Sequence, residues 1–396
     1  MSAAPAPGVT RVGVVGAGTM GAGIAQLACL GGFETVLHDP DPNALATGAD
    51  RLQAALAKGA GRGLWSAGDA ASASGLLATA TNLESLAGAG LVIEAAPESL
   101  ELKRDLFARL EGVCEPDAVL ATNTSSLAVT DIAAGLARPG RFCGMHFFNP
   151  PALMKLVEVV AGQRSEERAL RTTEEVARAM GREPVRAADA PGFIVNRCNR
   201  PFSLEALRML GEGVAGHAAI DTAVRERGGY RMGPFELMDL IGVDVNLEVA
   251  RSFFSQRAEA RWEPHPIQAE MVAAGRLGRK SGRGFYEYRA GRIVPPAGQG
   301  ELADDVADAI VERIVAGLVN EASFAVGEGV ARAGDVDTAM RLGLNHPRGP
   351  FAWRDELGAA RLVARLEALA DELGETERSS PEPLLVDAAA QPSGGV

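Results

Sequence analysis

The chain has no apolar run long enough to span a bilayer, and little with which to hold a metal. Its four cysteines, Cys29, Cys114, Cys143 and Cys198, lie far apart in apolar segments and form no metal-ligand spacing. They read as reduced thiols of a packed core, which fits a cytoplasmic location. Positive charge is also short: 39 Lys and Arg face 51 Asp and Glu, a formal net charge of −12. That balance argues against general binding to nucleic acid or an anionic membrane, although a local basic patch can still hold an anionic ligand. Met1–Gly8 carries neither a charged nor an apolar block, so it reads as a disordered leader and not a signal peptide. The 396 residues, 47% hydrophobic, suffice to bury a large core in two or three domains.

Against this background one pattern stands out. A β-branched run from Val9 to Val15 leads into Gly16-Ala17-Gly18-Thr19-Met20-Gly21 and then an Ala-rich stretch to Leu30. Strand, glycine turn and helix in this order form a dinucleotide fingerprint. Gly16 allows the tight turn, Gly18 lets the backbone approach a pyrophosphate, and Gly21 lets helix and strand pack closely. The next strand, Glu34 to His38, ends at Asp39, about 20 residues on, where an acid accepts ribose hydroxyls. Asp39 favours NAD, since a 2′-phosphate would be repelled and no arginine immediately follows. Alone, Asp39 reads equally well as a loop acid before Pro40.

Further strands and helices alternate: strands at Leu91–Ala95, Ala118–Thr122, Arg141–Phe147 and Met154–Val160, with a helix at Leu100–Leu110. Alternation predicts a parallel sheet covered on both faces, with ligands beyond the carboxyl ends of its strands. Glu98, Asn123, Ser125 and His146 fall at such ends. Imidazole is the side chain best matched to taking a proton from an alcohol at neutral pH. Glu158, past the Asn149-Pro150-Pro151 turn, suits an acid that orients the imidazole and stabilises the imidazolium, and Ser125 a donor to the alcohol oxygen. Taken singly, each has a plainer reading: a core histidine, a helix-capping serine, an edge-strand carboxylate.

The fingerprint, Asn123-Thr124-Ser125-Ser126-Leu127, His146-Phe147-Phe148-Asn149-Pro150, Met154-Lys155-Leu156-Val157-Glu158-Val159 and Pro191-Gly192-Phe193-Ile194-Val195-Asn196-Arg197 together resemble the 3-hydroxyacyl-CoA dehydrogenases, in order from about Val9 to Tyr288. The resemblance implies an α/β Rossmann-type NAD-binding domain followed by an all-α domain, and oxidation of (3S)-3-hydroxyacyl-CoA to 3-oxoacyl-CoA. It implies catalytic roles for His146, Glu158, Ser125 and Asn196, the last two contacting substrate. NAD contacts are implied for Gly16, Gly18, Thr19, Met20, Gly21, Asp39, Glu98, Lys103, Ser125 and Asn149. Lys58 and Arg62 are candidates for the coenzyme A phosphates, but in a stretch richer in Gly and Ala than the lysine-rich one of the family. Arg276, Arg279, Lys280 and Arg283 are weaker candidates, since a charged segment is more often a solvated loop.

The helical region occurs twice. Glu205–Gly242 aligns with Glu321–Gly358 without a gap, with about 16 identities in 38 positions, including GEGVA, Asp-Thr-Ala and Gly-Pro-Phe in both. The expected layout is a Rossmann-type domain over 9–188, helical copy one over 189–290 beginning at a hinge from Asp189 to Gly192, a linker over 289–301, and a degenerate copy two over 301–374. Disorder is expected over 375–396, a segment rich in Ser, Pro, Ala and Glu. Glu312 stands where copy one has Asn196, so copy two reads as structural, pairing with copy one as a pseudo-dimer inside one chain.

Acyl identity is not legible. The tandem arrangement resembles enzymes for 3-hydroxybutyryl-CoA and for the 3-hydroxyadipyl-CoA of phenylacetate breakdown. Three other readings stand beside these: a lysine-dependent 3-hydroxyacid dehydrogenase, which the His-centred strings oppose, a gulonate-type dehydrogenase, and a non-catalytic NAD-binding protein.

Overall fold

The structure, a computed structural model, describes residues 8–295, 302–374 and 376–391. Its apolar runs become β1 (Arg11–Val15), β2 (Glu34–His38), β3 (Leu77–Ala80), β4 (Leu91–Glu94), β5 (Val119–Thr122), β6 (Phe142–Phe147), β7 (Leu156–Ala161) and β8 (Glu183–Ala188). They form one sheet in the order β3-β2-β1-β4-β5-β6-β7-β8. Chain order reverses between β1 and β4, the switch point where such sheets open a ligand crevice. Leu91 to Ile93 and Val119 to Ala121 are fully buried, as strands covered on both faces should be.

One pairing departs from the expected parallel sheet: β6 and β7 run antiparallel. The link between them, from Phe148 to Lys155, is too short for the crossover that parallel neighbours require. A consequence for the site is direct, because the antiparallel register sets His146 opposite Glu158. β3 and β8 were not legible as strands, the first being short and weakly apolar, the second interrupted by Pro184 and Arg186. Asp189, expected in a hinge, is fastened into this first unit: its carboxylate accepts from Val129 N at 2.9 Å and Thr130 N at 2.7 Å. The chain divides into two compact units after Phe193.

In the second unit, copy one comprises helices Val195–Cys198, Arg200–Gly211, His217–Glu226, Pro234–Ile241, Val243–Arg257 and Pro266–Ala273, then a hairpin of β9 (Glu287–Arg289) and β10 (Arg292–Val294). The hairpin takes up the start of the expected linker, and 296–301 lie outside the described residues, as do 1–7 of the leader. Copy two comprises Asp304–Gly327, Ala333–Leu344, Pro350–Leu357, Ala359–Leu373, Thr376–Ser379 and Pro383–Ala390. Moving 116 positions along the chain carries Pro234–Ile241 onto Pro350–Leu357 and Val243–Arg257 onto Ala359–Leu373, bound for bound.

The duplicated motifs do the same work twice. Asp221 accepts from Phe235 N and Glu236 N, and Asp337 from Phe351 N and Ala352 N, so each caps the helix that opens on Gly-Pro-Phe. At Gly233 and Gly349 a Cβ would strike the same aspartate, which fixes glycine there. The copies also exchange ion pairs: Arg197 binds Glu321 and Glu328, while Arg313 binds Glu205 and Glu212. Each carboxylate is the counterpart of its opposite number, as a two-fold relation between equal patches demands.

Residues 376–391 overturn the expectation of a disordered tail. Glu382 accepts from Leu384 N at 2.6 Å and Pro383 takes the first helical position, much as His265 and Pro266 open their helix in copy one. Leu385 is buried. The Pro and Glu content that reads as disorder is here helix-start chemistry, and the segment completes copy two.

Candidate active site

The glycine turn leaves β1 at Gly16, whose φ of +97° and contact with the Ala95 carbonyl admit no side chain. A Cβ at Gly21 would run into the Gly16 carbonyl, so the helix Thr19–Leu30 packs against the turn only through glycine. Gly18 faces open space. That space belongs to a cavity of about 1240 Å³ at the switch point, lined among others by Gly16, Gly18, Thr19, Met20 and Asp39. Asp39 accepts from Ala17 N at 2.8 Å and Asp41 N at 3.0 Å, which ties this acid to the turn itself. A mostly apolar slot with an acid and a helix N-terminus fits an adenine dinucleotide. Arg109, from the helix Leu100–Val113, also lines it, and is the only cation that does so among the described residues. Sequence position gives no hint of this, since Arg109 comes from a different element than Asp39.

Beneath the turn lies a charged cluster. Glu94, fully buried at the end of β4, accepts from Lys103 Nζ at 2.5 Å, Thr122 Oγ1 at 2.7 Å and Ala96 N at 2.7 Å. Lys103 is itself buried and reaches Glu98 at 3.2 Å, so its ammonium is committed to two carboxylates. Glu98 in turn accepts from Thr124 Oγ1 at 2.5 Å, Ser125 N at 3.1 Å and Ser126 Oγ at 3.0 Å. Burial disfavours its charge, but Thr124, Lys103 and Ser126 outweigh that and hold the carboxyl below its ordinary range. Glu98 and Lys103 thus shape the Ser125 loop. The sequence signal for Glu94 is a carboxylate closing an apolar strand.

His146 and Glu158 meet as register partners on β6 and β7. His146 Nδ1 lies 2.7 Å from Glu158 Oε2, with the imidazole buried and the carboxylate fully so. Phe148 and Phe193 flank the ring at 4.5 and 5.8 Å between centroids. Phe193 adopts φ +51°, a strained state for a non-glycine residue that persists only where its surroundings enforce it. Asn123 Oδ1 accepts from Phe147 N at 2.8 Å, fastening the end of β5, and so the loop that carries Ser125, to the strand end beside His146. Ser125 is exposed, as is Asn149.

Asn196 belongs to the second unit, half-buried on Val195–Cys198, its carbonyl accepting from Arg200 Nε. Lys58 and Arg62 are exposed near the end of the helix Pro42–Gly61. The other basic group is largely engaged: Arg276 donates to the Gly284 carbonyl and Lys280 pairs with Asp244. All four cysteines are buried, and none is in a disulfide. Among the described residues no helix is long and apolar enough to cross a membrane, and no acidic, His or Cys cluster could hold a metal.

Known proteins match this arrangement. Residues 11–190 fit the NAD binding domain of 3-hydroxyacyl-CoA dehydrogenase, and 192–288 with 310–395 fit its C-terminal domain. The chain belongs to the 3-hydroxyacyl-CoA dehydrogenase family and is an NAD-dependent oxidoreductase of that class. It is 38% identical to the 3-hydroxyadipyl-CoA dehydrogenase of Escherichia coli K12, with 98% of each chain covered. A crystal structure of 3-hydroxybutyryl-CoA dehydrogenase from Escherichia coli K12 superposes with a TM-score of 0.91 at 37% identity, covering 96% of this chain and 98% of that one. The 3-hydroxybutyryl-CoA dehydrogenase of Mycobacterium tuberculosis H37Rv is 40% identical, but 99% of its length covers only 71% of this chain.

Proposed function

We propose that the protein oxidises (3S)-3-hydroxyacyl thioesters of coenzyme A with short or ω-carboxylated six-carbon acyl groups, 3-hydroxybutyryl-CoA and 3-hydroxyadipyl-CoA foremost. The observation that carries the chemistry is the 2.7 Å contact between His146 Nδ1 and Glu158 Oε2. With Nδ1–H given to the carboxylate, Nε2 is left as the acceptor, and it takes the proton of the 3-hydroxyl. Glu158 then faces an imidazolium and stabilises its charge. Ser125 donates to the oxygen that becomes the ketone, and Asn196 contacts the substrate. Lys58 and Arg62 meet the phosphates of coenzyme A.

Bound NAD supplies the acceptor for the hydride leaving C3. Gly16, Gly18, Thr19, Met20 and Gly21 would hold its pyrophosphate and Asp39 its ribose hydroxyls, with Ser125 and Asn149 as further contacts. Glu98 and Lys103 hold the loop that carries Ser125. The acyl range is supported by the full-length relative described as acting on 3-hydroxyadipyl-CoA and by the relatives described as 3-hydroxybutyryl-CoA dehydrogenases. Steady-state NADH formation across C4, 3-hydroxyadipyl and C14 thioesters tests it. A maximum of kcat/KM at C14 would contradict the acyl range, and no NADH from any of them would contradict the function.

A further inference from the structure

The cavity beside the glycine turn is lined by four carboxylates, Asp39, Glu84, Glu101 and Asp105, against the guanidinium of Arg109. Arg109 nevertheless makes no hydrogen bond or ion pair among the described residues. Asp105 precedes it by four positions on the helix Leu100–Val113, the spacing at which acid and base pair on a helix surface, yet the two stay apart. A guanidinium serving only to offset the acids around it would pair with one of them. The end of β2 feels its charge: burial pushes the His38 imidazole below its ordinary value, Asp39 opposes this and Arg109 adds to it. His38 lines the same cavity and immediately precedes Asp39. An acid and an unpaired cation, from two different elements of the first unit, thus share the space at the end of β2.

NAD and NADP differ by one group, the phosphate on the adenosine 2′-oxygen, and a guanidinium is the side chain best matched to a phosphate. We infer that Arg109 is a second determinant of cofactor choice, a cation placed to take a 2′-phosphate and held out of use by the carboxylate of Asp39. The inference rests on the reading of Asp39 as the acid that meets the ribose hydroxyls. Asp39 is fixed by two backbone N–H groups, so a 2′-phosphate meets its charge whichever way Arg109 turns. With that charge removed, the exposed guanidinium is free to pair with the phosphate. Selection for NAD is then the work of one carboxylate set against a cation that favours NADP.

Dissociation constants for NADH and NADPH, read from nicotinamide fluorescence, test this without turnover. Asp39→Asn removes the opposing charge and keeps an acceptor at the turn. It should tighten NADPH binding at least about tenfold, the low end of what hydrogen bonds to charged groups are worth, and adding Arg109→Leu should take most of that gain back. Arg109→Lys in its place should keep part of the gain, and added salt should shrink it, since exposed charge pairs are screened. In the unaltered background, Arg109→Leu alone should weaken NADPH binding more than NADH binding, a comparison that does not depend on the Asp39 variant folding. NADPH affinity unmoved by Arg109→Leu in both backgrounds would overturn the inference and leave Arg109 a solvated surface residue. So would an Asp39→Asn protein that binds NADH but gains no affinity for NADPH. Equal affinity of the unaltered protein for NADH and NADPH would instead remove the role of Asp39 on which the inference stands.

Discussion

Tyr230 and His346 hold the same place in the two helical copies and meet each other edge to face, 5.0 Å between ring centroids. A residue touches its own counterpart only on a two-fold axis, so this contact marks where the copies are related. Phe202 packs against both rings. Burial pushes the His346 imidazole down to about 3, which keeps it neutral in this aromatic cluster.

The His146–Glu158 pair gives the first expected outcome. His146→Gln should lower kcat by about a hundredfold or more with NAD affinity nearly unchanged, since a general base is usually worth that much. Glu158→Gln should also lower kcat. Near-normal turnover by His146→Gln in a stopped-flow NADH assay would remove the base from the mechanism.

Asp39 should make NAD preferred to NADP, and Asp39→Ala should narrow the preference. Because its carboxylate also accepts from Ala17 N and Asp41 N, the variant should raise the KM for NAD as well, by loosening the glycine turn. Kinetics with both cofactors separate the two effects. Equal efficiency with NAD and NADP in the unaltered protein would contradict the role.

The two copies should answer differently to one substitution. Asn196→Ala should impair catalysis, whereas Glu312→Ala should leave kcat/KM nearly unchanged. Its ion pair with Arg361 is largely exposed on the arginine side, so stability should move by no more than about 1 kcal/mol. Equal losses of activity from both variants would assign copy two a catalytic part.

Acid should loosen the second unit in a defined window. Burial opposes the charge of Glu205, but Arg208 and Arg313 outweigh it and hold the carboxyl at about 2. Glu328, likewise opposed by burial, is brought to about 2 by Arg197 and Arg257. In the unfolded chain both return toward 4.5. A depressed folded-state value stabilises fully above the unfolded one and is lost as pH falls through the folded one. Helical circular dichroism of the full chain should therefore show thermal stability falling between about pH 4.5 and 2, and Arg313→Met should lower stability already at neutral pH, by taking one of its two arginines from Glu205 and the partner from Glu212. A melting temperature insensitive to Arg313→Met would contradict the exchange of ion pairs.

Residue pattern made the first unit largely legible. Gly16, Gly18, Gly21 and Asp39 announce themselves by spacing, and His146 and Glu158 by position at strand ends either side of a Pro turn. The antiparallel β7 was implicit in the short link after Phe147, but alternation of elements suggested a parallel sheet. Glu94 and Arg109 are not legible as site residues, because burial and shared cavities depend on which elements become neighbours, which local pattern does not encode. The tail misled for a different reason: Pro381, Glu382 and Pro383 are as typical of a helix start as of disorder, and only Leu385 finding a core decides between them.

The exchange between Arg197 and Arg313 occurs within one covalent chain, so the encounter of the two helical copies is unimolecular. Dilution that would dissociate separately made partners leaves it untouched, because the effective concentration of one copy around the other is fixed by their connection. The pairing of the two helical copies therefore needs no second chain.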